Sequence, residues 1–276
     1  MSAAAMSLAS FSRPLVMIGC GNMAGAMLAR WLGAGLDSAQ VTVVDPGRTA
    51  PPASGVTLLA ALPEAFPASA VVVLGVKPQS LPDVAPFLAP LVGEGHLVIS
   101  MLAGVTVESL RAVLGPGANI ARIMPNTPVA LGKGVVALYA DADTPVTDAH
   151  TLLSPLGLVE RIADEAQLNL ITALTGCGPA FVFRFIDALA QGAATLGLDA
   201  AQAARLALAT VEGSAALAMQ AGESPAVLAD RVASKGGMTR EGLDVLDEGG
   251  RFVALLTDMM RAAERRGVEL ERLAAG

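Results

Sequence analysis

An α/β half followed by an all-helical half is the architecture this sequence predicts, and three observations predict it. Short apolar β-type runs alternate with helical stretches from residue 15 to about 163. From Asp164 onward the β-branched clusters fade and Ala, Leu and Met recur at helical spacing. A glycine-rich turn sits between the first strand run and the first helical run. Continuous apolar strands separated by helices indicate a parallel sheet covered on both faces. The expected organisation is a flexible tail over 1–14, an α/β domain over 15–163 and a helical domain over 164–276.

The elements follow in order. Leu15-Val16-Met17-Ile18 is a buried-strand run, and a helix is expected from Met23 to Leu32. Val41 to Val44, Val71 to Val76, Leu97 to Ser100 and Asn119 to Ile123 are further strands, with Val135 to Leu138 and Val159 to Ile162 after them. Helices are expected over 166–174, 179–196, 200–221, 224–232, 239–247 and 250–267. Gly197 stops one helix before the Asp199 N-cap, and Gly222 stops another before Ser224-Pro225.

Composition narrows the function. With 276 residues, 53% of them hydrophobic, a sizeable core is expected and disorder is not. Aromatics make up 3%, so small and aliphatic side chains must fill the core and let helices approach closely. A net charge of -7 with so few aromatics argues against a nucleic-acid surface. Only His96 and His150 are available as histidines, and both read as surface residues, so chemistry without histidine is expected. Cys20 and Cys177 are too few for a disulfide scaffold and are not spaced for a metal, so no metal is expected. No apolar run reaches the ~18–20 residues of a membrane span. The first 14 residues lack the apolar core of a signal peptide, and a cytoplasmic location follows.

The turn Gly19-Cys20-Gly21-Asn22-Met23-Ala24 reads G-x-G-x-x-A. Its first glycine permits the tight turn, Gly21 lets the backbone approach a pyrophosphate, and Ala24 lets helix and strand pack closely. The helix it opens offers N–H groups and a positive dipole end to phosphates. Asp45 ends the second strand, 20 residues beyond Gly25. This context makes the first half a Rossmann-type dinucleotide-binding domain. Asp45 favours the ribose hydroxyls of NAD, while Arg48 suits the 2′-phosphate of NADP, so NADPH and NADH both stay open. Val76-Lys77-Pro78 closes the third strand and Ala103-Gly104 follows the fourth, where strand ends line a ligand crevice.

Further segments carry a resemblance. They are Arg122-Ile123-Met124-Pro125-Asn126-Thr127-Pro128, the stretch from Thr172 to Phe181, Ala103-Gly104-Val105-Thr106, and Ser234-Lys235-Gly236-Gly237-Met238-Thr239 with Arg240 to Leu243. Together with the glycine turn and Val76-Lys77-Pro78-Gln79, in this order, the chain resembles the pyrroline-5-carboxylate reductases from residue 15 to about 270. The resemblance implies a Rossmann-type domain followed by an all-α dimerisation domain, a homodimer, and assembly into a larger ring of dimers. It implies that Ser234, Gly236, Gly237, Met238 and Thr239 hold the carboxylate of 1-pyrroline-5-carboxylate. A two-glycine turn opening a helix suits an anion, although a plain Ser or Thr cap is the simpler reading of the same residues. Glu165 aligns with an acid near the substrate, although a carboxylate starting an exposed helix explains it equally. This chain departs from the family pattern at Cys177, Phe181, Lys235, Arg231 and Leu62, where Ser, Tyr, Pro, an amide and Asn are usual.

The implied reaction is reduction of the cyclic imine to L-proline. An imine protonates more readily than a ketone, so a site poor in histidine suffices and positioning carries most of the rate. The Thr239 hydroxyl is expected to bond the imine nitrogen and act catalytically. Rival readings are a 3-hydroxyacid-dehydrogenase-like or ketopantoate reductase, a reductase of a related cyclic imine, and a non-catalytic dinucleotide sensor. The first pair commonly uses a lysine on the helical domain, and none lies between Lys133 and Lys235. The sensor has no need of the Ser234–Thr239 motif.

Overall fold

A computed structural model describes residues 7–275 of the chain. It divides into two compact units: residues up to Gly176 together with those from Ala263 onward, and Cys177–Ala262.

The first unit is built on an eight-stranded sheet. Its elements are β1 (Leu15–Ile18), α1 (Asn22–Gly33), β2 (Val41–Val44), β3 (Thr57–Leu59), β4 (Val71–Leu74), α2 (Leu81–Leu88), β5 (Leu97–Ser100), α3 (Val107–Leu114), β6 (Asn119–Pro125), β7 (Gly134–Ala140), α4 (Thr147–Leu153), β8 (Gly157–Arg161) and α5 (Leu168–Ile171). The strand order is β3-β2-β1-β4-β5-β6-β7-β8. Its first six strands follow the Rossmann order, with the direction of winding reversing between β1 and β4.

Strand period 2 divides the core into two layers. Leu15 and Met17 face one side, with Met27, Leu28 and Trp31 of α1 and Leu152 and Leu153 of α4. Val16 and Ile18 face the other, with Leu81 and Leu88 of α2 and Leu110 and Leu114 of α3. β1 is apolar throughout because both of its faces are covered.

Three expectations for this unit are corrected. The sheet is not wholly parallel: β7 runs antiparallel to β6. Only the short turn Thr127–Leu131 and its neighbours join them, and a parallel crossover needs a dozen or more residues. β3 was not anticipated, because three half-exposed residues on a sheet edge carry little periodic signal. Residues 7–14 are packed rather than a flexible tail. Leu8 and Phe11 are buried in the α1 layer, the Leu8 N–H donates to Ala34 O, and Arg13 pairs with Asp148 at 2.7 Å. The rest of the expected tail, 1–6, lies outside the described residues.

The second unit is helical. It holds α6 (Gly178–Thr195), α7 (Ala200–Ala221), α8 (Pro225–Val232), α9 (Met238–Asp247) and the first turns of α10 (Arg251–Ala275), whose last turns belong with the sheet unit. α6 lies against α7, where Ala203 and Ala207, one turn apart, become buried. Few large side chains here are covered. Phe183, Phe185, Leu206, Leu208, Leu217 and Met219 are all exposed.

Candidate functional site

The glycine turn is built as its sequence requires. Gly19 has φ +83, and a Cβ there would meet the backbone of Gly75 and Val76 at 3.0 Å. α1 then starts on Gly21 with no side-chain cap. α3, α7 and α8 instead cap their starts with Thr106, Asp199 and Ser224. The first N–H groups of α1 are thereby left for a ligand, which fits the pyrophosphate of a dinucleotide.

Two cavities flank this turn. One, of about 490 Å³, is lined by Cys20, Gly21, Asn22, Gly25, Asp45, Gly47, Arg48 and Pro52. Asp45 accepts from Cys20 N through Oδ2 at 2.9 Å and from Gly47 N through Oδ1 at 3.0 Å. Arg48 donates through Nε and Nη2 to Cys20 O at 3.1 and 3.0 Å. Burial pushes the Cys20 thiol above its ordinary value, with Arg48 opposing and Asp45 reinforcing the shift.

The other cavity, of about 720 Å³, lies along the carboxyl ends of the strands. Asn22, Met23, Ala24, Val76, Lys77, Pro78 and Ala103, all named from the sequence, line it. Gly75, Met101, Met124, Pro125 and Thr127 join them and were not singled out as site residues. The last three belong to the Arg122–Pro128 motif, and their place at the end of β6 was the available signal. Gly104 is turned elsewhere: it has φ +77, and a Cβ would meet the backbone of Leu270 and Glu271 in α10 at 3.2 Å. Neither histidine lines either of these two cavities. No cluster of metal-ligating side chains occurs among the described residues.

Two buried polar residues brace this region. Asn126 donates to Thr175 O at 2.9 Å and accepts from Val135 N at 2.8 Å, holding the π-helical turn Thr172–Gly176 against the sheet. Arg122, its side chain 3% exposed, pairs with Glu165 at 2.7 Å and Glu271 at 3.7 Å. Glu165 Oε1 also accepts from Val107 N at 2.8 Å. The Glu165 carboxylate is therefore engaged within the sheet unit.

In the helical unit, Ser234 to Thr239 form a turn between α8 and α9. Gly236 has φ +70. A Cβ on Gly237 would collide with Ser234 Oγ. Gly237 itself is the N-cap of α9, with no side-chain cap bond. The helix is thus not capped by Ser234 or Thr239, and its first N–H groups stay open beside two hydroxyls. Ser234, Met238 and Thr239 are exposed.

Residues 165–270 match the family model described as pyrroline-5-carboxylate reductase dimerisation. Residues 14–104 match the one described as NADP oxidoreductase coenzyme F420-dependent. A pyrroline-5-carboxylate reductase of Pseudomonas aeruginosa is 36% identical over 263 residues, which cover 93% of this chain and 96% of that protein. The chain belongs to the pyrroline-5-carboxylate reductase family. The reductase of that name from Escherichia coli is 32% identical over 258 residues, 90% of this chain and 95% of its own. The solved structure of the Coxiella burnetii reductase superposes with a TM-score of 0.84 at 31% identity, covering 94% of this chain and 98% of that one. As a family member the chain is an NAD(P)H-dependent oxidoreductase with a Rossmann-type half and a helical dimerisation half.

The dimerisation match accounts for the exposed apolar residues of α6 and α7: the chain forms a homo-oligomer. It also bears on a correction. Contrary to the expectation that no apolar run is long enough, the stretch Glu165–Thr195 is long and apolar enough, by length and composition alone, to cross a membrane. An apolar helix face left open in one subunit is what an obligate interface requires.

Proposed function

We infer that this chain reduces 1-pyrroline-5-carboxylate to L-proline by hydride transfer from NAD(P)H, the last step of proline biosynthesis. The observation that carries the reading is a pair of helix starts left open on glycine. Gly21 begins α1 in the motif that suits a pyrophosphate, and Gly237 begins α9 in the motif that suits a carboxylate.

The roles follow from that pair. Bound reduced nicotinamide supplies a hydride to the imine carbon. Gly19, Gly21, Asn22, Met23 and Ala24 hold the dinucleotide at its phosphates, and Val76, Lys77, Pro78 and Ala103 line its path beyond them. Gly104 acts at one remove, by letting α10 approach the end of β5. Ser234, Gly236, Gly237 and Met238 shape the turn that takes the substrate carboxylate through backbone N–H groups. Thr239 donates its hydroxyl to the ring nitrogen and orients or protonates it. Glu165 anchors Arg122 through Oε1, which also accepts from Val107 N, and its other oxygen is the one that would reach a substrate.

The domain division proposed from sequence places dinucleotide binding in 15–163 and substrate binding with dimerisation in 164–276. The dimerisation match beginning at residue 165 supports it. Assembly of dimers into a larger ring is part of the proposal. So are a cytoplasmic location, consistent with two free cysteines, and the absence of membrane and nucleic-acid partners.

Deuterium transfer tests the reaction. With NADPH deuterated at the transferred position, the proline formed must carry the label on the ring carbon beside nitrogen that does not bear the carboxylate. Unlabelled proline, or a labelled product that is not proline, would remove the assignment.

A further inference from the structure

The last turns of α10 close against the sheet unit beside one wall of the larger cavity. Two glycines make the approach possible. A Cβ on Gly104 would come within 3.2 Å of the Leu270 and Glu271 backbone, and a Cβ on Gly267 would come within 2.8 Å of Asn169 Oδ1. Glycine inside a helix is destabilising relative to alanine, and at Gly267 the missing Cβ is what leaves room for Asn169. The side chain of Glu271 completes the seat. Its Oε2 accepts from Asn169 Nδ2 at 2.8 Å, and its Oε1 lies 3.7 Å from Arg122 Nη2.

This seat grips two segments that line the cavity. Ala103 lines it, and the next residue, Gly104, carries the backbone contact with α10. Met124 lines it and packs with Leu168 and Ile171 of α5, the helix that carries Asn169. Arg122, two residues earlier on β6, shares the Met124 face of the sheet. Arg122 also pairs with Glu165, whose Oε1 accepts from Val107 N at the start of α3. The loop from Met101 to Val107 is thereby held at two points, one on α10 and one on Glu165. Strand order says which half of a dinucleotide this wall meets. β5 and β6 lie on the far side of β1 from β2. A dinucleotide with its pyrophosphate on α1 and its adenosine over β2 carries its nicotinamide toward them.

We propose that Glu271 is a positioning residue for hydride transfer. With Asn169, and the room left at Gly267, it seats the last turns of α10 so that Ala103 and Met124 hold the nicotinamide half in place. The adenosine half is outside its reach. The proposal rests on the dinucleotide and imine-reductase readings, and the test separates all three.

The test compares full-length Gly267→Ala with the unaltered protein. Alanine favours the helix, so a purely structural role for this seat predicts no loss of activity. The new Cβ must nevertheless displace Asn169 from Glu271. The expected result is a kcat lower by about tenfold at saturating imine and NADPH. The deuterium isotope effect should be no smaller than in the unaltered protein, which puts the loss in hydride transfer. Calorimetric affinity for 5′-AMP should stay within about twofold, since the adenosine end is remote. Glu271→Ala should match Gly267→Ala, and Glu271→Gln, which keeps an acceptor for Asn169 but drops the charge facing Arg122, should lose less. Full turnover by folded Gly267→Ala and Glu271→Ala overturns the proposal, as does a smaller isotope effect or a parallel loss of 5′-AMP binding. An unaltered protein that binds no 5′-AMP overturns the dinucleotide reading. One that binds 5′-AMP and does not reduce the imine overturns the reaction reading, and either result takes the proposal with it.

Discussion

Arg122 and Glu165 form a 2.7 Å ion pair that ties the middle of β6 to the start of the chain's helical stretch. Glu271 of α10 approaches the same guanidinium, and Asn169 donates to Glu271 at 2.8 Å. The pair is asymmetric, since the Arg122 side chain is 3% exposed and that of Glu165 20%. Glu165→Ala should therefore cost more, on the order of 1–3 kcal/mol, because it leaves the buried cation with only the longer contact to Glu271. Arg122→Met leaves two carboxylates that reach water and should cost less. Urea denaturation of the two variants checks the order. If Glu165→Ala raised KM for the imine and left stability unchanged, the carboxylate would be a substrate ligand after all.

Thr239 is the one side chain assigned to the reacting nitrogen. Thr239→Ala should lower kcat by roughly 100-fold and leave dinucleotide affinity unchanged. Thr239→Ser should retain much of the rate. Full turnover by the Ala variant would end the role. Gly237→Ala acts differently: the new Cβ meets Ser234 Oγ, so the turn must reshape and KM for the imine should rise more than kcat falls.

Gly19→Ala should destabilise the sheet unit by about 1–3 kcal/mol, because it places a side chain at φ +83 against the backbone of Gly75 and Val76. Thermal melts with and without NADPH read the effect. The variant should also lose most of the stabilisation that the cofactor confers.

Burial raises the Cys20 thiol above 9.0 in the folded chain. The sign follows from proton counting. Below 9.0 both states hold the proton and this group adds no pH dependence. As pH climbs past 9.0 the unfolded chain loses a proton that the folded chain keeps, so stability falls. Melts across that range should show the decline, and Cys20→Ala should flatten it. At neutral pH the buried thiol should resist alkylation until the protein unfolds.

The apolar surface of α6 and α7 should hold the oligomer together. Phe183→Asp and Leu217→Asp place charge on residues exposed in a single subunit, and each should shift the mass measured by light scattering toward the monomer. An unchanged mass for both would move the interface elsewhere on the helical unit.

Local patterns in the sequence reveal β1, β2, β4, β5 and helices α6 to α9 almost to the residue, because each is a continuous apolar run or a helical stretch bounded by Gly, Pro or a capping residue. Two kinds of feature lie beyond that signal. One depends on connection length and context: the antiparallel turn into β7, the edge strand β3, and the packing of Leu8 and Phe11. The other depends on pairing at a distance. Arg122 and Glu165 are 43 residues apart, and Asn126 meets Thr175 across 49. The site follows the same division. The glycine turns at Gly19 and Gly237 were legible because each lies in a glycine-containing motif at the start of a helix. The engagement of Asp45 and Arg48 with the Cys20 backbone was not, since no residue pattern encodes which way a side chain turns.

Initial rates of NADPH oxidation with 1-pyrroline-5-carboxylate, set beside its six-membered homologue and a 3-hydroxyacid assayed in reverse, test the central assignment most directly. The account predicts rapid oxidation with the five-membered imine, proline as the product by mass, and a slower rate with the homologue. A folded protein that binds NADPH, yet turns over only the homologue or none of these compounds, would contradict it.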